Sequence, residues 1–333
     1  MYRVTPGLTF SKRNRSKLIS LFTERSRLPP KDPESVIQLL AGELRKSVKQ
    51  RDCALRTDSL FERRNVFRVE YESGVDWDGV IYPLGTNYTD GFKIVLRSGQ
   101  PIHRLRFTIA HELCHTFFYE LVPELKFCPH SIDQKEETLC NIGAAELLVP
   151  TNQIKRLARN VPISIETLED LAAQYQVSAE VMLLRLRSVG LWETELTIWR
   201  AAPGGGFRLD RIVGGSSVKW EWTDDSVLKP AWDRARTTQG RTYVQYREDN
   251  GGLKLKPVSY QVVRRQDSLM ALWDHPATKW PPQSLPLFDK ELGSPIPGTA
   301  PAADLTIDQD SSLLLMIPQK FSTVHSNANP IRT

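Results

Sequence analysis

This chain is short of the residues that mark specialised scaffolds. Its 333 residues include four cysteines, Cys53, Cys114, Cys128 and Cys140, irregularly spaced and without a CxxC pair. That pattern argues against a disulfide framework and for reduced thiols. No apolar run approaches the roughly 18 uninterrupted residues of a membrane span, so none is expected. The first residues, MYRVTPGLTFSKRNRSKLISLF, lack an apolar signal core and a small-residue cleavage site. No block of Lys and Arg is long enough to form a nucleic-acid arm. No internal repeat is present. These absences lead to the expectation of a cytoplasmic protein.

What is present is an ordinary globular composition. Hydrophobic residues make up 40% and charged residues 25% of the chain, enough for a packed core. The net charge of +5 permits direct contact with nucleic acid or an acidic partner but does not call for it. The length suggests two domains and a tail. Residues 1–32 read as a polar, basic N-terminal extension. Residues 33–150 mix helix and strand: DPESVIQLLAGELRKSVKQ has a capping Asp32 or Ser35 and helix-spaced Val36, Leu39, Leu40 and Leu44. NVFRVEYES, WDGVIYPLG and GFKIVLRS read as strands, and 103–120 and 133–149 as helices, the second stopped by Pro150. Residues 151–192 form a helical, helix-turn-helix-like segment with a turn at Val177-Ser178. Residues 193–274 read as strands, with turn signals at Pro203–Gly206, Gly214-Gly215 and Asn250–Gly252. Of the eight tryptophans only Trp77 precedes residue 190, so this β-rich part is expected to have an aromatic core. Residues 275–333, rich in Pro, Ala and Ser, read as a disordered tail. The fold class is α+β.

The chemistry concentrates in RFTIAHELCHTFFYE. His111 and His115 are four apart, which on a helix puts both imidazoles on one face, one turn apart, where they can share a metal ion. Glu112, about 100° further round, sits beside such an ion without ligating it and can accept a proton from water. A zinc ion with three protein ligands and an open fourth position brings the pKa of water there to about 7. The bland alternative is a pair of core histidines. Phe107, Ile109, Ala110, Leu113, Cys114, Phe117 and Phe118 surround them, and burying two imidazoles and a carboxylate there without a partner is costly.

A third ligand is required. HExxHxxGxxH fails, because Phe118 and Leu121 occupy the later positions. A carboxylate from a following helix is the other common solution, and KEETLCNIGAAELLVP offers Glu136, Glu137 and Glu146. Glu137 shares a face with Asn141, Ala144 and Leu148; Glu136 shares one with Cys140, Gly143 and Leu147. Periodicity does not separate them. Gly143, Ala144 and Ala145 would let the two helices approach closely.

RFTIAHELCH followed by EETLCNIGAAELLVP resembles the ImmA/IrrE family of zinc metallopeptidases, with their RFTxAHELGH helix and second helix of pattern E-x-x-A-N-x-F-A-x-x-L-L-x-P. Matching Asn141, Ala144, Leu147, Leu148 and Pro150 places the family's ligating glutamate on Glu137. Cys140, Gly143 and Cys114 stand where the family usually has Ala, Phe and Gly. The resemblance runs over roughly 35–192, including Tyr175 to Leu191. It implies a zincin-like domain, a zinc cofactor held by His111, His115 and Glu137, and Glu112 as catalytic base. It also implies a helix-turn-helix repressor as substrate, whose cleavage releases mobile-element or stress-response genes. Some members carry a C-terminal GAF-like sensor domain, which corresponds in placement to 193–274. The competing function is a regulator that uses the metal fold as a scaffold and binds protein or DNA.

Other features have two readings. GFKIVLRS, through Phe92, Ile94 and Leu96, could be an edge strand that pairs with extended substrate, or an ordinary interior strand. Arg104 and Arg106 read as surface charges or local salt bridges, and Cys114 as core. Cys128 and His130 read as a loop pair or a second metal site. Tyr88, Tyr119 and His130 are candidate oxyanion stabilisers. VSAEVMLLRLRSVG, with Arg185 and Arg187, reads as packing rather than a DNA-recognition helix. Trp220 and Trp222 read as aromatic core rather than ligand surface.

Overall fold

The computed structural model describes residues 18–28, 32–49, 53–85, 90–122, 134–214, 226–234, 236–247 and 253–274. The expected N-terminal extension up to residue 17 and the tail from 275 lie outside them. So do Trp220, Trp222, Tyr88, Cys128 and His130. None of the helices described is long and apolar enough to cross a membrane.

The order is α1 (Leu18–Arg25), α2 (Pro33–Ser47), two 3-10 turns (Thr57–Leu60 and Glu62–Arg64), then β1 (Val66–Glu72), β2 (Gly79–Pro83) and β3 (Phe92–Arg97). Next come α3 (Ile102–Leu121), α4 (Gln134–Leu148), α5 (Thr151–Ala158), α6 (Ile165–Tyr175) and α7 (Ala179–Ser188). The chain continues through β4 (Thr194–Ala201), β5 (Phe207–Val213), α8 (Lys229–Arg234), β6 (Thr238–Arg247), β7 (Leu253–Arg265) and β8 (Ser268–Asp274). The fold is α+β. Helix starts follow local chemistry: Asp32 accepts the Ser35 N–H at 2.8 Å with Pro33 in the first turn, and Ser164 and Ser178 cap α6 and α7. The short helices α1, α5 and α8 were not anticipated; α1 falls within the stretch read as an extension, and its Leu18 and Phe22 are buried in the core.

The first sheet runs β1-β3-β2, with β1 parallel and β2 antiparallel to β3. One face carries Ile81, Phe92, Ile94 and Leu96 into the core beneath α3. The other is polar: Glu70 bonds Lys93, whose ammonium lies over Tyr82.

α3 is apolar nearly all round, since α1, α2, α4 and the sheet all pack against it. Its far end stacks Phe118 on Phe22 of α1, centroids 4.3 Å apart. α4 crosses it at Gly143. A Cβ on Gly143 would lie 2.7 Å from Cys114 Sγ and 3.0 Å from Ile37 of α2. The small-residue patch therefore permits a close approach of three helices.

Buried arginines tie the helices to carbonyls at helix ends and in the 53–55 loop. Arg45 donates to Leu147 O at 2.5 Å and Cys53 O at 2.7 Å. Arg185, 2% exposed, donates to Val149 O at 2.8 Å and Thr151 Oγ1 at 2.8 Å, and ion-pairs with Glu146. Arg106 donates to Gln176 O at 3.1 Å and Leu55 O at 2.7 Å. Arg106 is thus an internal strut, not the surface charge expected of it. Arg104 is part of a surface cluster on Asp78, which it grips with Nε and Nη2 at 2.9 and 2.5 Å. Arg185 and Arg187, which donates to Thr194 O, are both committed to the interior, consistent with packing rather than DNA recognition.

The second sheet is antiparallel throughout, in the order β5-β4-β8-β7-β6. One face carries Leu196, Val213, Val263 and Leu272 into the same core as the helices. There Gln261 accepts the Ile165 N–H at 2.5 Å and donates to Glu166 at 2.7 Å, and Arg265 grips Glu169 with two bonds. The other face has its own cluster, with Trp199, Trp273, Leu269 and Val262 covered by Leu228 and Ala231. Both indole N–H groups, of Trp199 and Trp273, donate to Thr197 Oγ1 at 2.7 and 2.8 Å.

Two outcomes follow for stability. Gly143→Leu should lower unfolding free energy by about 1–3 kcal/mol, read from the urea midpoint at unchanged slope. Arg185→Ala should cost about 3–5 kcal/mol, because it leaves Glu146 buried without its guanidinium.

Candidate metal centre

α3 holds His111, Glu112 and His115 in its middle turns. The two imidazoles lie edge to face, centroids 4.9 Å apart, with their Nε2 atoms 3.1 Å apart. α4 meets them with two pairs of side chains, each pair spaced i, i+4. Glu137 and Asn141 bracket His111: Glu137 Oε2 is 3.1 Å from Nε2, and Asn141 Oδ1 is 2.9 Å from Nδ1. Glu136 and Cys140 meet His115: Glu136 Oε1 is 2.8 Å from Nδ1, and the Cys140 thiol hydrogen-bonds the same side chain. The other Glu137 oxygen is 3.5 Å from His115 Nε2. His111, His115 and Glu137 each offer a donor atom within 4.8 Å of the other two, the one such group among the described residues.

The donor set fits a divalent metal. Each Nδ1 faces an oxygen acceptor, so each ring carries its proton there. Both Nε2 lone pairs then point toward each other and toward a carboxylate, an arrangement that only a cation relieves. Without a metal, a proton serves. Burial disfavours a charged His115 ring, but hydrogen bonds to Cys140 and Glu136, with the charge of the Glu136 carboxylate, outweigh it and raise its pKa well above the ordinary histidine value. Cys140 remains a thiol, because burial lifts its pKa to about 12.

Glu112 lies beside this cluster, 5% exposed. Burial raises its pKa, opposed by His115, His111 and a hydrogen bond from the Ile81 backbone. That bond ties it to β2. Gly79 makes the contact possible: a Cβ there would collide with the Thr108 methyl and lie 3.2 Å from Glu112 Oε1.

β2 is also where the sheet is open. Arg97 N donates to Asp78 O and Leu84 N to Gly91 O, so the even-numbered residues of β2 bond β3. Gly79 and Ile81 therefore turn their backbone groups away from it. No strand pairs along that edge among the described residues. The substrate-pairing role expected of Phe92, Ile94 and Leu96 is corrected here. β3 is the central strand with partners on both sides, and these three side chains are 2%, 0% and 0% exposed.

Of the other candidates, Glu146 serves Arg185 and Thr151, away from the histidines. Tyr119 is buried against Phe92, centroids 5.6 Å apart, and is not placed as an oxyanion donor. Cys114 packs in the core, as expected. Sequence reasoning did not assign Asn141 or Glu136 to the Nδ1 atoms. The i, i+4 spacing of Glu136 with Cys140 and of Glu137 with Asn141 was the available signal.

Comparisons with known proteins agree with this geometry. Residues 80–187 match the family model described as the IrrE N-terminal-like domain, Peptidase M78. The radiation response metalloprotease IrrE of Deinococcus deserti is 35% identical over 98 residues, 28% of this chain and 35% of that protein. The chain thus matches about a third of the length of this curated relative. A Mycobacterium tuberculosis transcriptional regulator of known structure aligns over 78% of this chain and 80% of its own, at 11% identity and a TM-score of 0.43, too distant a likeness to carry weight. The segment that holds both histidines, Glu112 and the facing carboxylates is thus similar to the IrrE-like metallopeptidases.

Proposed function

We propose that this protein is a cytoplasmic zinc-dependent endopeptidase that cleaves a helix-turn-helix transcriptional repressor and so releases stress-response or mobile-element genes. The observation that carries the enzymatic part is the convergence of two Nε2 atoms and the Glu137 carboxylate beside a buried glutamate that does not join them. The match of residues 80–187 to the IrrE-like family model and the similarity to the radiation response metalloprotease support the substrate class. The five-stranded sheet of 193–274 would be the sensory, GAF-like part.

His111, His115 and Glu137 would hold the zinc, which supplies a localised positive charge that acidifies water and polarises a carbonyl. Glu112 takes the proton from the attacking water at its carboxylate and passes it to the leaving amine. Its burial suits the task, because a raised pKa makes it a better proton acceptor than an exposed glutamate. An extended substrate would lie along the open edge of β2, bonding the outward backbone groups of Gly79 and the Ile81 carbonyl, and so pass directly beside Glu112, which holds the Ile81 N–H.

Glu112→Gln should retain about one zinc per chain and lose about 10²–10⁴-fold in cleavage, measured by metal analysis and by incubation with a candidate repressor, with and without chelator. Equal cleavage by the variant would rule out the assigned base. Zinc uptake should release protons and weaken as pH falls. His115 is protonated below its raised pKa when metal-free, and only the neutral ring ligates. Titration in weak buffer measures that release.

A further inference from the structure

We propose that Glu136 is a positioning residue for the metal centre. It holds His115 by Nδ1 and strengthens its Nε2 as a donor, without ligating the metal itself. The inference rests on the metal-centre reading above and deepens it.

Two adjacent glutamates reach the same pair of histidines from one helix, but from different sides. Glu137 lies against the Nε2 atoms of both rings, 3.1 and 3.5 Å away. Glu136 Oε1 lies 2.8 Å from His115 Nδ1, on the other side of that ring. One imidazole cannot offer Nε2 and Nδ1 to the same ion, so a carboxylate on Nδ1 is excluded from a metal on Nε2. It instead accepts the Nδ1 proton, which fixes the tautomer, locks the ring rotation and pushes electron density toward Nε2. Burial strengthens the effect. The Glu136 side chain is 14% exposed and the His115 side chain 12%, so little water competes for the bond.

The two histidines are held unequally. His111 leans on the neutral amide oxygen of Asn141 at 2.9 Å, whereas His115 leans on a carboxylate. A charged acceptor makes the stronger bond. His115 is therefore the more basic and more firmly oriented ligand, and the loss of Glu136 should be felt more in metal affinity than in fold.

The experiment uses the whole chain and zinc itself. Zinc affinity is measured by competition with a chromophoric chelator for the unsubstituted protein, Glu136→Gln, Glu136→Ala and Glu137→Ala. Cobalt(II) absorption spectra of each are recorded alongside. Glu136→Gln keeps an oxygen acceptor without charge and should weaken zinc binding about 10-fold; Glu136→Ala should weaken it up to about 100-fold. Both should keep the stoichiometry and the intensity of the cobalt bands, which report the ligand set. Glu137→Ala should lose that intensity, because a ligand is gone. A merely structural role would lower thermal stability without this graded order in affinity.

Equal affinity in the unsubstituted chain and both Glu136 variants overturns the inference and leaves the metal centre intact. Loss of metal from Glu136→Ala with retention in Glu137→Ala overturns it by exchanging the two roles. An unsubstituted chain that binds no zinc overturns this inference together with the proposed function.

Discussion

The distance between α3 and α4 is the constraint on which the rest depends. Their backbones meet at Gly143, where Cys114 fills the space a side chain would need. One and two turns before that crossing, α4 presents Glu136, Glu137, Cys140 and Asn141 to the two imidazoles. The contacts of the two imidazoles with Glu136, Glu137 and Asn141 span this gap, at 2.8 to 3.5 Å. Hydrogen bonds and metal–ligand bonds fail over a few tenths of an ångström. The small residues on α4 are therefore part of the site, although none of them carries any chemistry.

Holding two helices so close requires their ends to be fixed, and buried guanidinium groups do this. Arg45 and Arg185 take the carbonyls where α4 ends, and Arg106 joins α3 to the left-handed turn at Gln176 that closes α6. An arginine spreads several donors over a rigid plane, so one side chain can bridge two segments far apart in sequence. Arg45 and Arg106 each donate to two backbone oxygens, and Arg185 joins one carbonyl to the Glu146 carboxylate and the Thr151 hydroxyl. The position of the metal helix thus rests largely on main-chain contacts, which persist when neighbouring side chains are exchanged.

The sequence revealed the site better than its surroundings. His111, Glu112 and His115 were legible because their chemistry lies within one helix turn, and a fixed pitch converts spacing directly into geometry. Glu136 and Glu137 were not separable by periodicity for a physical reason: both faces they belong to are used, one for each histidine. The three strands were legible from alternation, but their order was not. Whether β3 is central or at an edge depends on which strands meet across the sheet, and nothing local to GFKIVLRS records that. Arg106 misled because charge suggests solvent unless the acceptors, here backbone oxygens of residues 55 and 176, are known. α5 follows Pro150 directly; Ile154, Leu157 and Ala158 do share one face, but over only eight residues.

The bond from Gln261 to the Ile165 N–H has a practical meaning for anyone handling the protein in parts. The opening turn of α6 borrows an acceptor from β7, nearly a hundred residues downstream. The same sheet face supplies Leu196, Val213, Val263 and Leu272 to the core around the helices. A fragment cut at residue 192 would keep both histidines and all their partners on α4. It would also carry a greasy wound where the sheet had been and a frayed helix beneath it. Trimming the chain to its chemistry would yield a molecule that clumps.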